Sequence, residues 1–255
     1  NYPYEHLILS EYSYYLTKIK INLAIMVFHS KFNKYFCLKY GFMKNRIADI
    51  RKDYKLSFMS FNDLKSNPID QFNVWFNNAL SLDINEVNAM VLSTVSQSGI
   101  PSGRVVLLKN VDYSGFTFYT NYNSSKGIDM KYNPNVSLTF FWPELEQQIR
   151  ITGCVVKLDS ESSDQYFNSR PRGSQIAAAA SSQSTLIDNR CVLENEVIRL
   201  EKIYENKAIP RPDNWGGYLL SPTKIEFWQG RASRLHDRCL YELNGNDWKM
   251  SRLAP

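Results

Sequence analysis

Histidine is nearly absent from this chain. Only His6, His29 and His236 occur, and no two are close in sequence. That argues against a histidine-based metal site, and no metal is expected. Cysteine is almost as sparse. Cys37, Cys154, Cys191 and Cys239 stand far apart and form no C-x-x-C pair, which argues against a zinc site or a disulfide framework and for a reducing compartment, here the cytoplasm. The apolar stretch Ile21–Phe28 is far too short to span a bilayer, so no membrane partner is expected. Internal repeats and low-complexity tracts are missing as well.

Acidic residues are missing between Glu11 and Asp49. Residues 1–48 hold Lys18, Lys20, Lys31, Lys34, Lys39, Lys44 and Arg46 against Glu5 and Glu11, a balance of +5 that equals the formal charge of the whole 255-residue chain. The rest is therefore neutral, which argues against a broad nucleic-acid surface on the folded body. Residues 1–48 are expected to be a basic, disordered leader. It reads as transit-like, which would move the compartment to the mitochondrion, as residues preceding a start at Met26, or as a tail without function. Residues 49–255 are expected to form one domain.

What is present begins with a helix. Asn67 is a plausible N-cap and Pro68 a good first helical residue. Phe72, Trp75, Phe76 and Leu80 then form one apolar face, a core stripe rather than a ligand box. From Ala89 the period changes. Ala89–Val95, Arg104–Lys109, Phe116–Thr120, Val136–Trp142 and Gln147–Leu158 read as strands joined by short turns, a barrel or sandwich pattern. Helices are expected from Ser160 through Tyr166, from Gln175 to about Ser182 and from Asn189 to about Asn206, the last with Leu193, Val197 and Leu200 inward. Short strands follow near Tyr218–Leu220 and Lys224–Trp228, and Asn244-Gly245 signals a hairpin.

Cations cluster at three places in this neutral body. Lys126 follows a hydroxyl- and amide-rich loop, Thr120–Ser125, suited to a phosphate at a helix start. Arg170 and Arg172 flank Pro171 ahead of Ser174. In a continuing helix Tyr166, Arg170 and Ser174, four apart, would share a face. Arg234, His236 and Arg238 would share one strand face if that segment is extended. Three potential cations there repel one another unless an anion faces them, and Trp228 offers a flat plate just before. Such a site suits a flat, anionic ligand.

Several segments resemble the pyridoxine (pyridoxamine) 5′-phosphate oxidase family: Arg104-Val105-Val106-Leu107-Leu108-Lys109, Phe118–Asn121, Tyr166–Ile176, Trp215-Gly216-Gly217, Glu226–Gly230, Arg234-Leu235-His236-Asp237-Arg238 and Arg252–Pro255. The resemblance runs from about Arg51 to Pro255. It implies a mainly β fold, an FMN-binding split β-barrel with peripheral helices, working as a homodimer. It implies oxidation of pyridoxine 5′-phosphate and pyridoxamine 5′-phosphate to pyridoxal 5′-phosphate, with O2 reduced to H2O2 and ammonia released from the amine. It places FMN contacts on Arg104, Val105, Val106, Leu107, Leu108, Lys109, Tyr119, Thr120, Lys126, Gln148, Gln183, Ser184, Trp228 and Arg238. Substrate contacts fall on Lys109, Tyr166, Arg170, Ser174, Arg234, Leu235 and His236, with Arg51, Lys52, Asp53 and Tyr54 closing over the substrate. Arg234 and His236 are the expected catalytic pair, and Glu86 matches an acidic position close to the site.

The bottom-up reading agrees, because two flat phosphorylated rings need two cationic pockets. Lys109 with Arg170 would serve the substrate phosphate, and Lys126 with Arg104 that of FMN. Two positions depart from the family. Ser125 stands where an arginine is usual, which removes one cation from the FMN phosphate site. Ala177 stands where a glycine is usual. The alternative is a non-catalytic FMN or pyridoxal phosphate binder of the same fold, to which only Ser125 points.

Overall fold

The computed structural model describes residues 47–50 and 53–255. The chain separates into two units, Asn1–Asp53 and Tyr54–Pro255. Of the first, the described residues are an exposed helical turn at 47–49, Ile50 and an exposed Asp53. The expected leader, Ile47 and Ala48 apart, and the expected substrate contacts Arg51 and Lys52 lie outside the described residues.

The second unit is mainly β. Its strands are β1 (Ala89–Val95), β2 (Pro101–Leu107), β3 (Asn110–Asp112), β4 (Gly115–Asn121), β5 (Asn135–Trp142), β6 (Gln147–Lys157), β7 (Trp215–Gln229), β8 (Asp237–Asn244) and β9 (Asp247–Leu253). They pair antiparallel in the order β2-β1-β5-β6-β7-β4-β3, with β8 on β7 and β9 on β8. The sheet branches at β7. Its first half, Trp215–Leu220, pairs with β4, and its second half, Lys224–Gln229, pairs with β8. One continuous strand therefore replaces the two short ones expected from the sequence. The interval between them, which holds Pro222, is a register shift against Thr152 and Gly153. Gly153 makes the shift possible, because a Cβ there would lie 2.1 Å from the Ser221 carbonyl oxygen.

The helices are α1 (Pro68–Leu80), α2 (Ser125–Tyr132), α3 (Ser160–Ser169), α4 (Arg172–Ala180) and α5 (Arg190–Ile203). Asn67 caps α1 by accepting from the Ile69 N–H at 2.8 Å. Phe72 and Trp75 enter the barrel core as expected, whereas Leu80 is 54% exposed. Ala79 takes the inward place, so the buried stripe runs Ile69, Phe72, Trp75, Ala79. Phe72 meets Phe116 and Phe140 edge to face at 5.0 and 5.3 Å, which packs α1 against β4 and β5. A second, smaller core of Phe167, Ile176, Leu200, Ile209 and Trp215 lies under α3, α4 and α5. Asp159 caps α3, accepting from the Ser162 N–H at 2.6 Å. Among the described residues no helix is long and apolar enough to cross a membrane.

Candidate active site

The chain from Thr120 to Lys126 turns sharply so that α2 can start. Ser124, fully buried, caps the helix by accepting from the Gly127 N–H at 3.4 Å. Lys126 sits in the first turn with only 9% of its surface exposed. Its ammonium donates to Ser124 Oγ at 3.2 Å and to Gln183 Oε1 at 3.4 Å. Thr120 donates to the same amide oxygen at 3.4 Å. Burial, and then the nearby Arg104 guanidinium, hold the Lys126 pKa below its ordinary value. Among the described residues no carboxylate pairs with this ammonium. A buried cation at the positive end of a helix costs on the order of several kcal/mol unless an anion joins it.

Arg104 stands beside Lys126 but is already engaged. Its guanidinium donates to Thr94 Oγ1 at 2.6 Å, the Leu92 carbonyl at 3.2 Å and Ser102 Oγ at 2.7 Å, with Asp129 at 3.8 Å. It ties β2 to β1 and α2, and it raises the local positive potential from there.

Pro171 decides the second cationic position. A residue before proline is pushed out of the helical region, and Arg170 adopts φ −73°, ψ 149°. Hence α3 ends at Ser169 and α4 begins at Arg172. Tyr166, Arg170 and Ser174 do not lie on one continuing helix, as the spacing suggested, yet all three reach one cleft. The Arg170 guanidinium stacks 4.6 Å over Trp215. Its Nη1 is buried without a hydrogen-bond partner. Desolvation lowers its pKa.

The cleft has a volume of about 420 Å3. Lys109, Lys126, Arg170 and Ser174 supply its polar wall, and Val105–Leu107 its rim. Tyr119, Tyr166 and Trp215 form a stacked aromatic wall, with 3.9 Å between the first two rings and 5.5 Å from Tyr119 to Trp215. Leu108 points away into the core, Ser184 is exposed with a positive φ of 73°, and neither lines the cleft. Glu86 occupies an exposed turn before β1 and does not line it either.

The remaining expected residues form a second group. Gln148, Trp228 and Arg238 lie directly opposite one another across β6, β7 and β8, so they share a sheet face. Their neighbours Ile149, Phe227 and Cys239 are fully buried on the other face, so the row looks outward. Arg238 donates from Nε to Glu226 Oε1 at 2.8 Å and from Nη1 to the Ala254 carbonyl at 2.8 Å. Glu226 also holds Arg150 at 3.3 Å.

His236 packs on Trp228 with ring centroids 4.6 Å apart. Tyr54 meets both rings edge-on, at 5.7 Å from Trp228 and 5.8 Å from His236. The expected extended run Arg234–Arg238 is not extended. Ala232–Arg234 is a 3-10 turn in which Ser233 and Arg234 take φ of 55° and 61°, and β8 starts only at Asp237. The turn exposes Arg234 and leaves Leu235 69% exposed. The ion pair of Arg231 with Asp237 at 3.0 Å spans the turn. Members of this second group do not line the first cleft.

Trp215, Glu226 and Arg231 carry no site role in the sequence pattern, and Ser124 enters it only as part of the phosphate-suited loop. The Trp-Gly-Gly run and the serine before Lys126 were visible signals. Glu226 and Arg231 act through partners distant or opposed in the turn, and nothing local marks them.

The chain is similar to known proteins over most of its length. A family model described as pyridoxamine 5′-phosphate oxidase matches residues 77–204. A second, described as the pyridoxine 5′-phosphate oxidase C-terminal dimerisation region, matches residues 215–255. A pyridoxine/pyridoxamine 5′-phosphate oxidase of Cyanothece sp. is 50% identical over 209 residues, 82% of this chain and 98% of that protein. One from Leptospira interrogans is 49% identical over 214 residues, 84% of this chain and all of that protein. Among solved structures, PhzG from Burkholderia lata, in complex with tetrahydrophenazine-1-carboxylic acid, is 32% identical with a TM-score of 0.75, covering 80% of this chain and 100% of its own. A pyridoxamine 5′-phosphate oxidase-related, FMN binding protein from Nostoc punctiforme shares the fold at 15% identity and a TM-score of 0.60, over 75% of this chain and 100% of its own.

Proposed function

Because the chain belongs to the pyridoxine/pyridoxamine 5′-phosphate oxidase family, we propose that it oxidises pyridoxine 5′-phosphate and pyridoxamine 5′-phosphate to pyridoxal 5′-phosphate with FMN and O2. The products besides pyridoxal 5′-phosphate are H2O2 and, from the amine, ammonia. The observation that carries this reading is a pair of under-satisfied cations in one cleft, the buried Lys126 and the half-buried Arg170. Among the described residues no carboxylate pairs with Lys126, and Arg170 leaves a buried Nη1 without an acceptor. Cations in such a state suit phosphate oxygens, which accept strong charge-assisted hydrogen bonds.

The donor set fits FMN. Lys126 with Thr120 and Gln183 would hold its phosphate, and the Val105–Leu107 rim its ring system. Lys109, Arg170, Tyr166 and Ser174 would hold the substrate phosphate. When bound, FMN supplies the two-electron acceptor for the substrate's C4′ hydride and passes the electrons to O2. The protein binds, orients and excludes water, and these effects suffice for hydride transfer between pre-aligned rings.

The outward row of Gln148, Trp228 and Arg238 supports a homodimer, in which each row completes the cleft of the other subunit. The match of residues 215–255 to a dimerisation region, which contains β7, β8 and β9, supports the same reading. Arg234, His236 and Tyr54 would then bear on the substrate ring from the same side as that row. Residues 54–255 form the single oxidase domain in this proposal.

An anaerobic titration tests the proposal. FMN-loaded protein is mixed with pyridoxine 5′-phosphate and the flavin absorbance is followed. Bleaching, reversed by air with pyridoxal 5′-phosphate formed, is the expected result. A flavin that stays oxidised with both the alcohol and the amine substrate overturns it.

A further inference from the structure

We propose that His236 serves the reaction as a hydrogen-bond donor through Nε2–H, not as a proton acceptor, and that the main-chain N–H of Arg231 is the positioning group that enforces this. The proposal rests on the reading above, in which His236 faces the substrate.

A neutral imidazole has one N–H and one lone pair. The Arg231 N–H donates to His236 Nδ1 at 3.1 Å. A nitrogen that accepts carries no proton, so the ring proton of the neutral form is on Nε2. Among the described residues Nε2 has no hydrogen-bond partner, so its N–H is free for a ligand.

The surroundings hold this arrangement. Arg231 acts twice, because its Nη1 also binds Asp237 Oδ2 at 3.0 Å. The Asp237 carboxylate further accepts from the Met59 N–H at 3.2 Å and from Arg252 at 3.4 Å. The nearest acid in sequence is thus committed elsewhere, and it closes the 231–237 turn without touching the imidazole. Among the described residues the charged groups that act on the ring are cations, Arg234 on the turn and Arg238 on β8. The rings of Trp228 on β7 and of Tyr54 ahead of α1 pack against it. Burial, Arg234 and Arg238 lower the His236 pKa, in that order, so the neutral form dominates near pH 7. Both left-handed residues of the turn, Ser233 and Arg234, are tolerated because these contacts over-determine the backbone.

The chemical consequence is specific. A ring with its proton on Nε2 has no lone pair there, so it cannot take a proton from the substrate at that atom. It can hold a lone pair on the substrate and so orient the ring. The proton released from the C4′ hydroxyl or amine passes to water.

Two measurements on the FMN-loaded protein test this. The first is long-range 1H–15N correlation on histidine-labelled protein near neutral pH, with the His236 signals assigned by their loss in His236→Gln. The expected pattern is an unprotonated Nδ1 and a protonated Nε2. A protonated Nδ1 with a bare Nε2, or an imidazolium, overturns the proposal.

The second is the pH profile of anaerobic flavin reduction. Glutamine presents its amide N–H near the ε position, so His236→Gln should keep the rate within about threefold, whereas His236→Ala should lose about ten- to a hundredfold, the effect of one hydrogen bond. The wild type and His236→Gln should share one acid limb. Equal losses in both variants, or an acid limb of the wild type that vanishes in His236→Gln, would identify a base and overturn the donor role. If wild-type flavin is not reduced at all, the function itself fails and the donor role with it, while the correlation spectrum still reads the tautomer.

Discussion

Glu226 holds Arg238 from across the β7–β8 ladder, its Oε1 accepting the Arg238 Nε–H at 2.8 Å while its other oxygen takes Arg150 at 3.3 Å. One buried carboxylate thus sets the direction of an arginine that projects from the outward row. Glu226→Gln keeps the shape and removes the charge. It should lower unfolding free energy by about 1–3 kcal/mol, as expected for a charged hydrogen bond lost at a half-buried site. FMN affinity should fall as well. Urea unfolding and fluorescence titration with FMN check both; unchanged affinity would show that Arg238 is aimed by Ala254 alone.

Arg170 should behave in the opposite way towards stability. Its Nη1 is buried and unsatisfied, so the residue is kept at a cost to the empty protein. In Arg170→Met the melting temperature without ligand should not fall. The KM for pyridoxine 5′-phosphate should rise about ten- to a hundredfold, the loss of a charge-assisted bond to phosphate. A fall in melting temperature with unchanged KM would make Arg170 a structural residue stacked on Trp215.

Ser125 is exposed at the first position of α2, next to Lys126. Ser125→Arg adds a cation beside the proposed FMN phosphate site and should tighten FMN binding about tenfold, with a steeper dependence on salt. Titration of the apoprotein at two ionic strengths reads the effect, and equal dissociation constants would remove Ser125 from the phosphate site.

Gly230 makes room for Tyr54. A Cβ at this position would lie 2.8 Å from Tyr54 Cγ and 3.0 Å from Glu146 Cβ. Gly230→Ala should therefore push Tyr54 away from Trp228 and His236. Substrate KM should rise by more than kcat falls if, as proposed, Tyr54 bears on the substrate ring without doing chemistry. Quenching of Trp228 fluorescence by acrylamide should increase in parallel.

His236 gives a sign for stability against pH. Its folded pKa lies below the ordinary 6.5, so between the two values the unfolded chain binds more protons than the folded one. Stability therefore rises with pH across that window and is lost as pH falls below about 6.5. The slope of melting temperature against pH in this range should be smaller in His236→Gln. An identical slope would place the titration elsewhere.

Much of the fold was legible because local rules and tertiary packing agreed. Asn67-Pro68 started α1 where a capping side chain and a proline both belong. The Asn244-Gly245 signal marked the β8–β9 hairpin, with Gly245 at a φ of 63°. Strands β1, β4, β5 and β6 followed their apolar patterns to within a residue or two. The site was less legible because its geometry depends on where the pattern breaks. Pro171 broke the helix that would have lined up Tyr166, Arg170 and Ser174, and packing of α4 returned all three to one cleft. The turn spanned by the Arg231–Asp237 pair interrupts a run that alternation alone reads as a strand.

By itself, the sequence determined most element types, the charge-neutral body and where cations gather in it, since these follow from side-chain chemistry and nearest-neighbour backbone sterics. Only the tertiary structure decided that these residues fall into an inward cleft and an outward row. It also decided that Arg104 is occupied by Thr94 and Ser102, and that the His236 proton is directed to Nε2. Each of these depends on groups brought together across strands or turns, whose desolvation and hydrogen-bond geometry exist only once the chain has closed.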